Sequence, residues 1–137
     1  MKREQLEQLV SQVIDAAYTV HCALGPGLLE SAYEMALCCE LKLRHISFER
    51  QKNLPVHYKE TALDCGYRID LLVEGVIVVE LKAVDGLAPI HEAQVFTYLK
   101  LAGCQLGFLI NFNVRLIKHG IKRIVCNLPE PSISASS

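Results

Sequence analysis

The first part of the chain carries the hydrophobic periodicity of two amphipathic helices. Apolar side chains recur at intervals of three and four residues, which places them on one stripe of a helix: Leu6, Leu9, Val10, Val13, Ile14, Ala17, Val20 and Leu24. Gly25-Pro26-Gly27 ends this helix. A second helix is predicted from about residue 28 to residue 44, with Tyr33, Leu37 and Leu41 at four-residue spacing.

After residue 45 the pattern becomes that of extended strands. An extended stretch is predicted over 46–58, with Pro55 marking an edge or a bulge. Alternating apolar side chains over 63–69 predict a half-buried strand. A turn at Glu74-Gly75 leads into 76–81, whose Val and Ile content is typical of a central strand.

The last third of the chain adds one helix and two strands. The helix is predicted over 92–102 and the strands over 106–112 and 121–126. The order is therefore ααβββαββ, and a strand–helix–strand unit after a meander predicts an α/β (α+β) fold with a mixed sheet flanked by helices. The length fits a single domain over 1–128, followed by a Ser- and Pro-rich tail over 129–137 that is predicted to be disordered.

Composition and charge narrow the function classes. The chain has no run of about 18 apolar residues, so no membrane span is expected, and its polar start lacks the apolar stretch of a signal peptide; we expect a cytoplasmic protein. The net charge of −1 argues against a dedicated nucleic-acid binder. After residue 99, however, there are five basic residues and a single acidic one, Glu130. The basic residues are Lys100, Arg115, Lys118, Lys122 and Arg123. Such a basic patch could guide a polyanion.

The six cysteines predict neither a disulfide framework nor a zinc site. They form no C-x-x-C pair and show no Cys/His spacing typical of zinc. Most lie in apolar stretches, where a cysteine behaves as a small hydrophobic residue. We therefore expect reduced thiols.

The predicted central strand contains two charges that need an explanation. Because alternate side chains of a strand share a face, Glu80 and Lys82 point one way while Val79, Leu81 and Ala83 point the other. Burying an unpaired charge is costly. An ordinary ion pair on an exposed face, which contributes only about 0–1 kcal/mol, is the structural alternative.

Asp70, in the preceding strand, shifts the balance toward chemistry. Two neighbouring carboxylates repel each other, and a divalent cation such as Mg²⁺, which prefers oxygen ligands, relieves that repulsion. Such an ion with a nearby Lys82 supplies what phosphodiester hydrolysis needs. A strict two-residue turn at Glu74-Gly75 would place Asp70 opposite Val79, whereas a three-residue loop or a bulge at Gly75 would place it opposite Glu80.

Two motifs connect these residues to a known family. Asp70 followed by Glu80-Leu81-Lys82 resembles the D…(D/E)-x-K signature of the PD-(D/E)XK nuclease superfamily, although Ile69 stands where the superfamily's name has Pro. The segment from Gly27 through Glu30 to Tyr33 is similar to the motif that names the bacterial GxxExxY proteins, which are assigned to that superfamily. The resemblance spans the first helix to the last strand and implies a restriction-endonuclease-like core in a single PD-(D/E)XK-like domain over 1–128.

The resemblance also implies roles for individual residues. Asp70 and Glu80 would hold Mg²⁺ or Mn²⁺, with the Leu81 backbone carbonyl as a further ligand, and Lys82 would position or activate the attacking water. Glu30 would approach the metal from the second helix. Alternatively, Glu30 simply favours the helix start, where negative charge suits the dipole.

Other candidate residues have both a functional and a structural interpretation. Gln94 and Tyr98 stand four apart on the third helix and resemble the substrate-orienting Q-x-x-x-Y pair of RecB-like nucleases; an ordinary polar helix face is the alternative. Tyr33 is favoured as a packing residue. His21 is either structural or close to the site.

The sequence is compatible with three functions. The first is a Mg²⁺- or Mn²⁺-dependent nuclease that hydrolyses DNA or RNA, and the second is a catalytically silent nucleic-acid- or protein-binding module of the same fold. The third is a structural dimer in which Asp70 and Glu80 lie on different faces and bind no metal. A homodimer is also possible for the nuclease, because so small a domain could need a partner copy to hold a duplex.

Overall fold

A computed structural model describes residues 1–128, and the tail predicted at 129–137 lies outside the described residues. The helices are α1 (Arg3–Leu24), α2 (Glu30–Leu43) and α3 (Pro89–Ala102). The strands are β1 (Phe48–Asn53), β2 (Val56–Tyr58), β3 (Thr61–Leu63), β4 (Arg68–Val73), β5 (Ile77–Lys82), β6 (Leu106–Asn111) and β7 (Ile121–Val125). A 3₁₀ turn, Ile117–Gly120, precedes β7. None of the described helices combines the length and the apolar composition needed to cross a membrane.

Five of the strands form one mixed sheet. Their spatial order is β1-β4-β5-β6-β7. The β5 and β6 strands run parallel, connected through α3, and every other neighbouring pair is antiparallel. The short β2 and β3 strands form a separate hairpin.

The helices cover both faces of this sheet. Residues of α1 and α2, such as Val13 and Leu37, pack in one core against Val79. On the other face, Val95 and Leu99 of α3 belong to a second core. The predicted fold class, a mixed sheet flanked by helices, is therefore confirmed.

The predicted order ααβββαββ is wrong in its number of strands, because five strands precede α3. The strand predicted over 63–69 is interrupted by a turn in which the Gly66 N–H donates to Asp64 Oδ1 at 3.3 Å. Gly66 has a φ of +79°, a left-handed conformation that a strand does not accommodate. The stretch predicted over 46–58 is likewise divided between β1 and β2, at the Pro55 that marked an edge or bulge. The third helix begins at Pro89, earlier than predicted, since proline is favoured in the first helical turn.

The loop between α1 and α2 is held by Tyr33. Its hydroxyl donates to the Gly25 carbonyl oxygen at 2.5 Å and accepts from the Leu28 N–H at 3.1 Å. Its ring stacks on Phe112 with the centroids 4.6 Å apart. The packing role favoured for Tyr33 is confirmed, and these contacts fix the start of α2, where Glu30 lies.

His21 belongs to the same supporting structure. Its Nε2 atom hydrogen-bonds to the Val114 carbonyl oxygen at 2.7 Å, and the side chain is buried. Of its two interpretations the structure therefore favours the structural one.

Candidate functional site

The loop between β4 and β5 has three residues. The Val76 N–H donates to the Val73 carbonyl oxygen at 3.0 Å, closing a turn whose central residues Glu74 and Gly75 both have positive φ. Val76 is the additional residue, so that Val73 pairs with Ile77. Of the two registers left open by the sequence, the structure adopts the one that brings Asp70 opposite Glu80.

At this point the two strands stop pairing through their backbones. The Asp70 N–H donates to Glu80 Oε2 at 2.7 Å, and the Leu81 N–H donates to Asp70 Oδ2 at 2.9 Å. The carboxylates thus accept hydrogen bonds from backbone donors that would otherwise need a partner. Glu80 is only 8% exposed. The arrangement expected from the third hypothesis, with Asp70 and Glu80 on separate faces, is therefore wrong.

Side-chain alternation along β5 follows the prediction. Val79, Leu81 and Ala83 all pack in the core formed with α1 and α2, so Glu80 and Lys82 occupy the intervening positions. Along β4 the alternation breaks, because Ile69 and Leu71 belong to opposite cores although they are two residues apart. The reversal falls at Asp70, beside the point where the ladder ends.

Gln51 contacts Asp70 and links it to Glu34, and the sequence analysis missed both residues. The Gln51 side-chain amide donates to Asp70 Oδ1 at 3.2 Å and to Glu34 Oε1 at 2.8 Å. Gln51 has a φ of +51°, which is uncommon for a residue with a side chain. Glu34, only 6% exposed, also forms an ion pair with Arg50. The acid of α2 that is tied to Asp70 is thus Glu34, while Glu30 is more exposed.

One available signal pointed to Glu34. It lies next to Tyr33 and three residues before Leu37, so a charge stands beside the apolar stripe of α2. Gln51 carries no comparable signal, because it lies among polar neighbours in β1.

Burial and charge act together on the carboxyl groups. Burial, reinforced by the charge of Asp70, raises the pKa of Glu80 to about 8. Burial also raises the pKa of Asp70, opposed by its hydrogen bonds from the Leu81 N–H and Gln51. Although Glu30 is largely exposed, the pKa of its carboxyl group is raised first by partial desolvation and then by the charge of Asp70, while Lys82 opposes the rise. Glu30 and half-buried Lys82 therefore lie within electrostatic reach of the carboxylate pair.

The donor set fits a hard divalent cation, although it is sparse. Carboxylate oxygens and a backbone carbonyl are the ligands that Mg²⁺ and Mn²⁺ prefer. Two buried, mutually repelling carboxylates are also stabilised when a cation lies between them. Within residues 1–128, however, no group of three or more His, Cys, Asp and Glu side chains is arranged to hold a metal ion. Asp70 and Glu80 thus offer two carboxylate donors, not a complete side-chain cage.

Gln94 and Tyr98 lie in the wall of a cleft of about 480 Å³ beside the site. The two residues differ in their relation to the carboxylates. Tyr98 is half-buried, and its pKa is raised first by burial and then by the charge of Glu80. Gln94 is exposed and, among the described residues, hydrogen-bonds to neither Asp70 nor Glu80. The structure therefore brings Tyr98 close to the carboxylates and leaves Gln94 in the cleft wall.

Asn111 fixes the chain just beyond Lys82. Its Oδ1 accepts the Val84 N–H at 3.0 Å, and its Nδ2 donates to the Val84 carbonyl oxygen at 2.9 Å. The Phe112 N–H donates to the Lys82 carbonyl oxygen at 2.9 Å. In the sequence, Asn111 could have been noticed as the amide in the otherwise apolar run of β6. In the structure, this side chain holds the end of β5.

Comparison with known proteins identifies a family. A family model described as the PD-(D/E)XK nuclease superfamily matches residues 7–124, which include Asp70, Glu80 and Lys82. Searches of the curated proteins and of the solved structures find no match. The family match thus extends from α1 to β7.

Proposed function

The chain belongs to the PD-(D/E)XK nuclease superfamily, and we propose that it is a metal-dependent phosphodiester hydrolase acting on DNA or RNA. One observation carries the proposal: Asp70 and Glu80 accept hydrogen bonds from each other's strand, with Lys82 at the next in-phase position of β5. A buried acid pair beside a lysine costs stability and so needs a role outside folding.

The proposed roles follow from the side chains present. Asp70, Glu80 and the Leu81 carbonyl would hold Mg²⁺ or Mn²⁺, and Glu30 would add a carboxylate from α2. A bound divalent cation would supply Lewis-acid chemistry, polarising a phosphoryl oxygen and acidifying water. Lys82 positions the attacking water and stabilises negative charge that develops on the phosphate while one P–O ester bond breaks.

Mn²⁺ binding measured by calorimetry, combined with a cleavage assay on the same samples, tests this function. Glu80→Ala is the test variant. Glu60→Gln is the matched control, because it neutralises an exposed acid between β2 and β3. We expect the wild type and the control to bind Mn²⁺ and cleave DNA or RNA, and Glu80→Ala to do neither. Absence of binding by the wild type at millimolar Mn²⁺ would refute the metal site.

A catalytically silent binding module is the second candidate. Two observations favour it: no cluster of three potential metal-ligating side chains occurs in the described chain, and both carboxylates already accept backbone N–H groups. This candidate predicts nucleic-acid or protein binding that needs no metal, with no cleavage in Mg²⁺ or Mn²⁺. Cleavage that depends on Lys82 would rule it out.

Membership of the GxxExxY group is part of the proposal and is supported by Gly27, Glu30 and Tyr33 at the motif's spacing. A cytoplasmic location and a homodimer stay predictions. Sedimentation of the purified protein tests the homodimer directly.

A further inference from the structure

The cleft beside the carboxylate pair is built mainly from apolar and aromatic side chains. Ile90, Tyr98 and Leu101 of α3 form one wall, and Val56 and Tyr67 line the opposite side. Its volume of about 480 Å³ lies within the range of roughly 300–1,000 Å³ typical of ligand-binding clefts. The cleft is therefore large enough for a planar organic ring.

Its aromatic surface is open to solvent. Tyr67 is 47% exposed and Ile90 is 61% exposed, although both line the cleft. The Tyr67 and Tyr98 rings stand 6.2 Å apart at 59°, so they do not stack face to face on each other. Exposed apolar side chains gathered around a concave surface are typical of a binding site.

Two residues that line the cleft relate it to the carboxylate site. Tyr67 lies three residues before Asp70, immediately ahead of β4. Tyr98 lies within electrostatic reach of the carboxylates, because the pKa of its hydroxyl is raised first by burial and then by the charge of Glu80. A ligand that contacts Tyr98 in the cleft would therefore lie within electrostatic reach of Asp70 and Glu80.

We propose that this cleft binds an unpaired nucleobase, which makes single-stranded DNA or RNA the preferred ligand. The proposal rests on the proposed function for its ligand class, since nucleic acid is expected at this site. Aromatic side chains stack on any base, but in a duplex the bases are already paired and stacked and cannot enter a cleft. A net charge of −1 provides little attraction for phosphates, so base stacking has to supply a larger share of the binding.

Fluorescence anisotropy tests the inference without cleavage. The probes are an end-labelled single-stranded DNA oligonucleotide, its RNA counterpart and the matched duplex, all in EDTA at low salt. We expect the wild type to bind the single strands more tightly than the duplex. Tyr67→Ala should weaken single-strand binding by about 5- to 150-fold, the equivalent of stacking one base. Tyr67→Phe should retain it.

Two further variants separate stacking from general damage. Tyr58→Ala removes a tyrosine that is 63% exposed on β2 and does not line the cleft, so binding should be unchanged. Ile90→Glu adds a negative charge at the exposed rim and should weaken binding. A thermal unfolding curve for each variant confirms that the fold is intact.

Several outcomes would overturn the inference. The first is equal binding of the oligonucleotide by the wild type and by Tyr67→Ala, and the second is tighter binding of the duplex than of the single strands. The third is a wild-type protein that binds no oligonucleotide but forms a concentration-dependent dimer, which Tyr67→Ala dissociates. Cleavage of duplex with no effect of Tyr67→Ala would refute the cleft's role and leave the proposed hydrolase standing. Tyr67-dependent binding without cleavage in Mn²⁺ would support the cleft's role and refute the proposed hydrolase.

Discussion

The β4–β5 hairpin has two ends of opposite character. Near the turn, 71–73 pairs with 77–79 in regular register, and all six side chains are apolar and buried. At the other end, Asp70 and Glu80 replace the backbone ladder with hydrogen bonds from N–H groups to carboxylates. Both ends belong to the same two strands of the sheet and differ in the side chains that these strands carry there.

This contrast separates what stabilises the fold from what the site requires. Burying apolar side chains at the turn end favours folding. Burying two neighbouring carboxylates at the other end opposes it, which the raised pKa of Glu80 reflects. A sheet that only had to fold would gain stability by replacing the acids with apolar residues.

The largest effect is expected at the charged end, from Lys82→Met. Removing the ammonium while keeping an unbranched side chain should lower the cleavage rate by about 10³-fold or more, because charge on the phosphate then lacks its stabilising cation. Initial rates on a nucleic-acid substrate in Mn²⁺ measure the loss. Lys42→Met, at an exposed position in the last turn of α2, is the control and should cleave normally. Equal rates for both variants would remove Lys82 from the mechanism.

At the apolar end, Leu71→Ala should act on stability and not on the chemistry. Leu71 is fully buried in the core with α1 and α2, so truncation leaves a cavity. We expect the free energy of unfolding to fall by about 3 kcal/mol in urea denaturation. Mn²⁺ affinity of the folded protein should be preserved. A variant that keeps its stability but loses metal binding would contradict the division between the two ends.

Glu80→Gln should stabilise the metal-free protein, the opposite of Leu71→Ala. The pKa of Glu80 is raised from 4.5 to about 8 in the folded protein, so the folded state holds a proton that the unfolded chain releases. The stability from this proton is complete below pH 4.5 and is lost as the pH rises through 8. The neutral amide avoids that loss, with a gain on the order of 2 kcal/mol at high pH.

Thermal melts in EDTA across this pH range measure the difference between Glu80→Gln and the wild type. The two proteins should melt alike near pH 4.5 and diverge toward pH 8. Glu60→Gln, which neutralises an exposed acid, should follow the wild type throughout. A gap that stays constant with pH would show that Glu80 does not carry the cost of burial.

Strong periodicity explains why most of the fold could be predicted. The apolar stripe of α1 and the Val- and Ile-rich run of β5 both arise because buried positions recur at a regular interval along the element. The β2–β3 hairpin could not be found this way. Its strands have three residues each, and the side chains of β3 are all exposed, so no burial pattern marks them. Only the turn at Asp64 and Gly66 separates them from β4.

The candidate site was predictable where charge interrupts an apolar strand. Glu80 and Lys82 stand out in β5 for that reason, and Asp70 stands out in β4. Their register was not predictable, since it depends on Glu74 adopting a positive φ that its residue type does not demand. Glu34 and Gln51 come from α2 and the edge strand β1, and only tertiary packing brings them to Asp70.

The smallest effect is expected at Gln51, where backbone strain and a side-chain bridge can be separated. Both Gln51→Ala and Gln51→Gly remove the amide that links Glu34 and Asp70. Glycine also relieves the left-handed backbone at a φ of +51°. Gln51→Gly should therefore be more stable than Gln51→Ala by about 1 kcal/mol, measured by urea denaturation. At Lys52, the next residue of β1 and outside the left-handed region, the order should reverse, because glycine there only adds unfolded-state entropy. If the alanine and glycine variants ranked in the same order of stability at both positions, the backbone at Gln51 would hold no strain. The charged end of the hairpin would then differ from the apolar end in its side chains only.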